Sequence, residues 1–350
     1  MRPAQAGEAA ARTWQPFVLV MGLLLVGAVA HAEGLFEAAA SLLGRIPGGE
    51  LVLYGTAMGL TAVVTVFLNL DTSVAFLTPV LVHAARRRGA VEARFLYGCV
   101  FMSNAASLLL PGSNLTNLLV LANEHVSGST FLGRMAAPWG AAVVVTAVVV
   151  GVVFRRGPAA SVLQRDTERE RGGGGIGALA VIVVAVLILT LADAALPVVA
   201  VGALTVVVHA SRRHLSWWRV AATVDVLSLA GVFLVALSLG TVARAWTYPA
   251  TLMAGAGTVA TAAIGAVGSV LVNNLPAAVL LGSRVPAHPR ALLIGLDIGP
   301  NLAVTGSLSA LLWWQAARSV GARPSVRRYT AVGLILVPLT IAAALAVGRP

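Results

Sequence analysis

The sequence predicts an all-α integral membrane protein of two inverted repeats, each with a re-entrant helical hairpin and a broken transmembrane helix. About 8 spans plus 2 hairpins are expected. Three observations carry this prediction. The 350 residues are 58% hydrophobic and only 11% charged, with a mean hydropathy of +0.90, whereas a soluble domain needs about 25% charged residues to cover its surface. Apolar runs recur along the whole chain, many near the roughly 20 residues that cross about 30 Å of hydrocarbon. Finally, the order of plain and interrupted runs in the first part of the chain is repeated in the second.

Taken in order, apolar runs fall at 14–32, 51–85, 94–126, 135–154, 176–193, 195–209, 220–240, 252–283, 290–315 and 329–347. Four are too long or too interrupted to be simple helices. The run 51–85 is broken by Asn69-Leu70-Asp71-Thr72, and 94–126 by Pro111-Gly112-Ser113-Asn114. Their later counterparts, 252–283 and 290–315, are broken by Asn273-Asn274-Leu275-Pro276 and by Gly299-Pro300-Asn301. Pro and Gly unwind a helix, and in lipid the freed backbone groups survive only where they are buried in protein or line a cavity. Span, broken hairpin, broken helix, span therefore describes 14–154 and again 220–347. Such paired interruptions point to a midplane transport site at a repeat interface.

The domain expectation is a first repeat over 1–154, a cytoplasmic linker over 155–175 and a second, inverted repeat over 176–350. The linker carries Arg165-Asp-Thr-Glu-Arg-Glu-Arg171 and four glycines, a solvated and flexible composition. Two helices, 176–193 and 195–209, precede the repeated unit of the second part. The first part has no counterpart, so it is read as lacking its first helices. Residues 1–32 also have a signal-peptide pattern, with Arg2, Arg12, an apolar stretch from Phe17 and Ala28-Val-Ala30-His-Ala32. The repeat needs a span at this place, so the segment is read as a retained helix, with cleavage as the rival reading.

Arginine placement tests the inversion. If each hairpin dips in and returns, one face collects Arg86, Arg87, Arg88, Arg94, Arg155, Arg156, Arg165, Arg169, Arg171, Arg212, Arg213, Arg219, Arg318, Arg323, Arg327 and Arg328. The opposite face collects Arg134, Arg244, Arg284 and Arg290. Sixteen against four makes the rich face cytoplasmic, and the two hairpins then open to opposite sides. A bacterial inner-membrane location is expected.

Composition also excludes chemistries. There is no lysine, so neither a Walker A loop nor a Schiff-base lysine exists. A net charge of +11 sits in short loops and is explained by orientation, not by nucleic acid. The lone Cys99 allows no intramolecular disulfide and reads as a packing residue. His31, His83, His125, His209, His214 and His288 lie at span ends or loops without ligand spacing, so no metal site is expected. His209, His214, Trp217 and Trp218 read as an interfacial belt. No activated nucleophile, paired general acid and base, or cofactor motif is found, so the chain is not read as an enzyme.

Asp71 and Asp297 are the deepest carboxylates. An Asp at the bilayer centre costs about 2.5–3.5 kcal/mol, so such residues are rare and face polar pathways. Each lies near an expected break, where carboxylates and freed carbonyls suit Na⁺ or a proton and helix N-termini suit anions. The bland alternative is an Asp that caps the next half-helix. Around them the first repeat places Asn69, Thr72, Ser103, Asn104, Ser113, Asn114, Thr116 and Asn117. The second places Asn273, Asn274, Asn301, Thr305, Ser307 and Ser309. Amides and hydroxyls supply both donors and acceptors, fitting a neutral polyhydroxyl solute or an oxyanion.

These residues carry a family resemblance. Val272-Asn-Asn-Leu-Pro276 and the stretch from Gly295 to Trp313 resemble second-half motifs of the arsenical-pump membrane proteins, the arsenite/antimonite permeases of the ion transporter superfamily. Ser103-Asn104 and Pro111 to Asn117 resemble their first broken helix, and Val66 to Pro79 their first hairpin. The hairpin departs from the family pattern in having Asn69-Leu70 before its Asp. The resemblance implies efflux of arsenite and antimonite in exchange for protons, with Asn69–Thr72, Ser113–Asn117, Asn273–Pro276 and Pro300–Ser307 around the substrate. It also implies a homodimer, and, in some relatives, a soluble ATPase subunit as partner. A Na⁺/H⁺ antiporter or a dicarboxylate-type anion carrier of the same superfamily is the first alternative. A non-transporting, degenerate truncated membrane protein is the second.

Overall fold

A computed structural model describes residues 3–45, 47–121, 126–157, 175–191, 193–213 and 226–348. Among the described residues every regular element is helical. Arg2, His125, Arg165, Arg169, Arg171, His214, Trp217, Trp218 and Arg219, and with them most of the linker, lie outside the described residues.

In the first repeat, helix α1 (Pro3–Ala32) is followed by a short α2 (Leu35–Arg45) and then by the hairpin arms α3 (Glu50–Leu68) and α4 (Leu70–Arg87). The broken helix is α5 (Glu92–Ala106), one 3₁₀ turn (Pro111–Ser113) and α6 (Leu115–Leu121), and α7 (Gly128–Val153) closes the unit. Helices α8 (Ile176–Thr190) and α9 (Ala195–Arg213) come next. The second repeat then runs through α10 (Val226–Ala245), short α11 (Tyr248–Gly255), hairpin arms α12 (Thr258–Val272) and α13 (Asn274–Leu281), and α14 (Pro289–Ile298). Two 3₁₀ turns (Gly299–Leu302 and Val304–Gly306) lead from α14 to α15 (Leu308–Ser319), and α16 (Val326–Val347) ends it.

The order of elements thus repeats, and three expectations need correction. Helices α2 and α11 occupy equivalent places and were not foreseen, because 11 and 8 residues are too short to register as spans. Secondly, among the described residues five unbroken helices are long and apolar enough to cross a membrane, at 14–32, 50–68, 128–153, 195–212 and 326–347, and most of the remaining elements of the expected spans are shorter or interrupted. One of these is the first hairpin arm. Its 19 residues at 1.5 Å each reach about 28 Å, a full crossing length, while α8 has only 15. Finally, each hairpin breaks at one residue, so Asp71, Thr72, Asn274 and Pro276 are helical, in the first turn of the returning arm. Pro276 is tolerated there because a first-turn N–H has no helical partner to lose.

The halves are inverted in space. Phe154, at the end of α7, stacks on Tyr97 with centroids 5.1 Å apart. The Tyr97 hydroxyl accepts from the backbone N–H of Ser325, at the start of α16, at 2.8 Å. At the other end, Gly348 lies beside Pro138 near the start of α7. The equivalent helices α7 and α16 therefore pack antiparallel.

Close approach is obtained through glycine. A Cβ on Gly295 would strike the carbonyl of Ala262, and one on Gly299 would strike Ser269 and Ala266, so α12 and α14 touch backbone to backbone. Gly333 holds α16 in the same way against the carbonyl of Asn301. Helices α8 and α9 pack on α1 through Gly22, Gly177 and Gly202. That bundle is tied by Glu33, which accepts from the N–H of Gly177 at 2.8 Å and meets His209 Nδ1 at 3.2 Å. His209 is thus a buried tie between helices and not part of an interfacial belt.

Arginine-bearing loops gather at one end. Arg86 pairs with Glu92 at 2.7 Å and donates to the carbonyl of Val320 at 2.6 Å; Arg94 pairs with Glu50 at 2.8 Å.

The glycine contacts make a paired prediction. Gly295→Ala and Gly333→Ala each force backbone apart and should cost about 1–3 kcal/mol, lowering the unfolding midpoint of the detergent-solubilised protein. Gly59→Ala and Gly140→Ala, where nothing lies within 4 Å of the added methyl, should be neutral or stabilising by about 0.5–1 kcal/mol.

Candidate functional site

Each interruption is built by a polar side chain that replaces the missing helical hydrogen bonds. Asn69 and Asn273 sit at the hairpin tips with φ of 92° and 75°, the two positive values at non-glycine residues among those described. Asn tolerates this region because its short amide bonds locally. The Asn69 amide oxygen accepts from the Thr72 N–H at 2.9 Å, and that of Asn273 from the Leu275 N–H at 3.3 Å. In the broken helices, Asn114 caps α6 through the Thr116 N–H at 3.0 Å, and Ser307 caps α15 through the Ala310 N–H at 3.2 Å.

Each tip lies against its own repeat's break. Ser113 Oγ donates to the carbonyl of Val66 at 2.9 Å, joining the first break to the end of α3. Asn273 Nδ2 donates to the carbonyl of Thr305 at 3.0 Å, joining the second tip to the second break. Beside that tip a cavity of about 350 Å³ opens between α10, α13 and α15; among the described residues Asn273 is its one polar lining side chain, beside Val235, Pro276 and Leu311. Thr305 is exposed and Asn273 half-buried.

The two breaks then meet each other. Asn104 Nδ2 donates to Asn301 Oδ1 at 2.7 Å, and Asn301 Nδ2 donates to the carbonyl of Phe101 at 3.4 Å. Both amides are fully buried; Asn104 lies in the last turn of α5, just before the first break, and Asn301 lies within the second. Asp297, in the last turn of α14, is also fully buried. It accepts from Asn114 Nδ2 at 2.8 Å and from Ser107 Oγ at 3.3 Å, both from the opposite repeat. Hydrogen bonds to a charged group contribute about 1.5–3 kcal/mol each, so two of them offset the roughly 2.5–3.5 kcal/mol of placing an Asp at the membrane centre. From below, the Tyr329 hydroxyl donates to the carbonyl of Pro300 at 3.0 Å and Trp313 Nε1 to that of Leu96 at 2.8 Å.

Ser107 has one hydroxyl proton and two acceptors, the Asn104 carbonyl at 2.9 Å and Asp297 at 3.3 Å. With Asp297 ionised, the proton serves the carboxylate. With Asp297 protonated, the carboxyl donates to Ser107 and the hydroxyl turns to Asn104. Both states are satisfiable, which a proton-exchanging group requires.

Asp71 is different. It stands half-buried in the first turn of α4, and no described residue hydrogen-bonds its carboxylate. Around this tip and the first break, buried polar atoms lack partners: Thr65 Oγ1, Asn69 Nδ2, Thr72 Oγ1, Thr116 Oγ1 and Asn117 Oδ1. Asn117 Nδ2 is engaged, donating to the Ser107 carbonyl at 2.9 Å. Hard oxygen atoms beside a free carboxylate suit a monovalent cation or a polar solute. Among the described residues no cluster of His, Cys, Asp and Glu could hold a metal.

Of the residues singled out from sequence, Asn114, Asn117, Asp297 and Asn301 come together with Asn104 at the crossing, and Ser113 joins the first break to its hairpin. Asn69, Asp71, Thr72 and Thr116 line the first tip and break; Asn273, Asn274, Thr305 and Ser307 lie at the second. Ser107 and Ser73, whose hydroxyl accepts from Ser103 at 3.2 Å, were missed. The first break begins at Ser107, four residues earlier than Pro111 suggests, and the run Leu108-Leu109-Leu110 disguises it.

The sequence model of a family described as citrate transporters (CitMHS) matches residues 5–313. Among solved structures, the chain is similar to the YdaH transporter of Alcanivorax borkumensis, a protein described as having an unusual topology. The TM-score is 0.55 at 13% identity, over 99% of this chain and 87% of that one. The likeness is one of fold, an all-helical membrane architecture.

A double-mutant cycle tests the crossing. Asn114→Ala and Asp297→Ala should each destabilise the protein but couple by about 0.5–3 kcal/mol, because each removes the other's partner. Additive effects on the unfolding midpoint would mean that the two side chains do not meet.

Proposed function

The chain belongs to the citrate transporter family, and from that premise we propose that this secondary transporter carries a small carboxylate of the citrate class, coupled to protons through Asp297. One observation carries the reading. A fully buried carboxylate from one repeat is held by an amide and a hydroxyl of the other, at the point where two unwound segments cross. Release and capture of a proton there rearranges Ser107 and Asn104, and with them the contact between the halves. Carboxylates of the solute would be met by the amides and hydroxyls of the breaks and by the N-terminus of α15. The cavity at Asn273 is the proposed approach to the second break.

A second reading keeps arsenite and antimonite as substrates, as the motif resemblance implies. Its support is that no arginine of the described residues bonds within the crossing, which suits an uncharged trihydroxide. A third, Na⁺ exchange at Asp71, draws on the unpartnered oxygens of the first hairpin tip.

Uptake by the purified protein in proteoliposomes separates these. Under an imposed pH gradient, labelled citrate should accumulate against its concentration. Asp297→Asn should lose gradient-driven accumulation by about tenfold or more while retaining citrate–citrate exchange. Accumulation of arsenite but not citrate would establish the second reading. Sodium-dependent proton movement without either solute, abolished by Asp71→Asn, would establish the third.

A further inference from the structure

Orientation explains arginines on the rich face; it does not explain those on the poor one. Two of the latter, Arg134 and Arg290, line a single cavity of about 370 Å³ between α7 and α14, with Leu121, Phe131, Met135 and Pro289. Arg134 is exposed and Arg290 half-buried. Among the described residues neither guanidinium has a hydrogen bond, an ion pair or a ring beneath it. Both also stand near the wrong end of a helix. Arg290 is the second residue of α14 and Arg134 lies in the second turn of α7, and neither helix carries an acidic residue in its first turn. A cation in the first turn of a helix opposes the macrodipole, so Arg290 and its helix end reinforce one another, and Arg134 adds a second positive charge on the cavity wall. The other described residues of the cavity wall are apolar, which focuses that field instead of screening it.

We propose that this cavity is an anion-capture site, in which Arg134 and Arg290 hold a di- or tricarboxylate by charge-assisted hydrogen bonds before it enters the transport path. The substrate class rests on the reading given under Proposed function. The site itself rests on the geometry of the cavity and its two guanidinium groups. Two forks, each with parallel N–H donors, match a solute bearing two or more carboxylates better than a single one. Phospholipid phosphate offers the same acceptor chemistry at a membrane surface, and the test separates the two sources.

The full chain is placed in phosphatidylcholine nanodiscs, which leave both faces open, and treated with phenylglyoxal at fixed ionic strength. Modified arginines are then mapped by mass spectrometry. Citrate and tricarballylate should protect Arg134 and Arg290 together, acetate should protect neither, and Arg284, outside the cavity, should react equally in all samples. In the companion measurement, citrate should raise the unfolding midpoint of the wild-type protein. Arg134→Gln with Arg290→Gln should weaken that apparent affinity by about tenfold or more, and Arg284→Gln should not. Absence of protection by any polycarboxylate would overturn the proposal, as would a midpoint shift unchanged in the double variant. Protection conferred by phosphatidylglycerol in the disc, but not by citrate, would overturn it in favour of a lipid site. Arg-dependent citrate binding in a protein that fails to accumulate citrate in proteoliposomes would uphold the site and sink the transport reading instead.

Discussion

Hydrocarbon offers no water to a broken helix, and the rest of this structure depends on how that constraint is met. Four interruptions lie along apolar runs, and each exposes N–H and carbonyl groups that cost several kcal/mol if left unpaired. The chain answers with short polar side chains placed at the breaks themselves: Asn69 and Asn273 at the hairpin tips, Asn114 and Ser307 where the broken helices resume. The same side chains then reach beyond their own backbone. Asn114 caps α6 with its oxygen and holds Asp297 with its nitrogen. Structural repair and the proposed chemistry are thus performed by one amide.

Around the crossing, packing supplies the rigidity that unwound segments lack. Glycines at 295, 299 and 333 bring whole helices into backbone contact with the second break. Tyr329 and Trp313, both fully buried, fix neighbouring carbonyls from beneath. The first break is held by fewer such devices and keeps several unpartnered oxygens. The halves differ chemically here, since an unpaired buried polar group is one that a solute or ion can satisfy.

Much of this was legible in the sequence because Asn, Pro and Gly inside apolar runs have so few physical explanations in a membrane. The hairpins, the broken helices and the depth of Asp297 followed from that alone. Residues whose role depends on a partner far along the chain stayed hidden. Ser107 reads as an ordinary helix residue until Asp297 is placed beside it, 190 positions later. Helices α2 and α11 were invisible because periodicity needs more turns than they have. Asp71 and Asp297 looked equivalent by depth and composition, and only the contacts distinguish a carboxylate clasped between repeats from one left half-open at a tip. The motifs suggested the arsenite permeases where the family model matches the citrate transporters, since break-forming residues answer to lipid before they answer to substrate.

The pairing of Asn104 with Asn301 joins a helical amide of the first repeat to an amide inside the break of the second. An amide carries both donor and acceptor and can face its own copy across a pseudo-twofold axis. A carboxylate offers acceptors alone and must find donors of another kind. The crossing accordingly holds amides from both halves but a carboxylate from one, so among the described residues it has a single titratable group. The charge at the crossing therefore belongs to one repeat alone, however alike the two scaffolds around it.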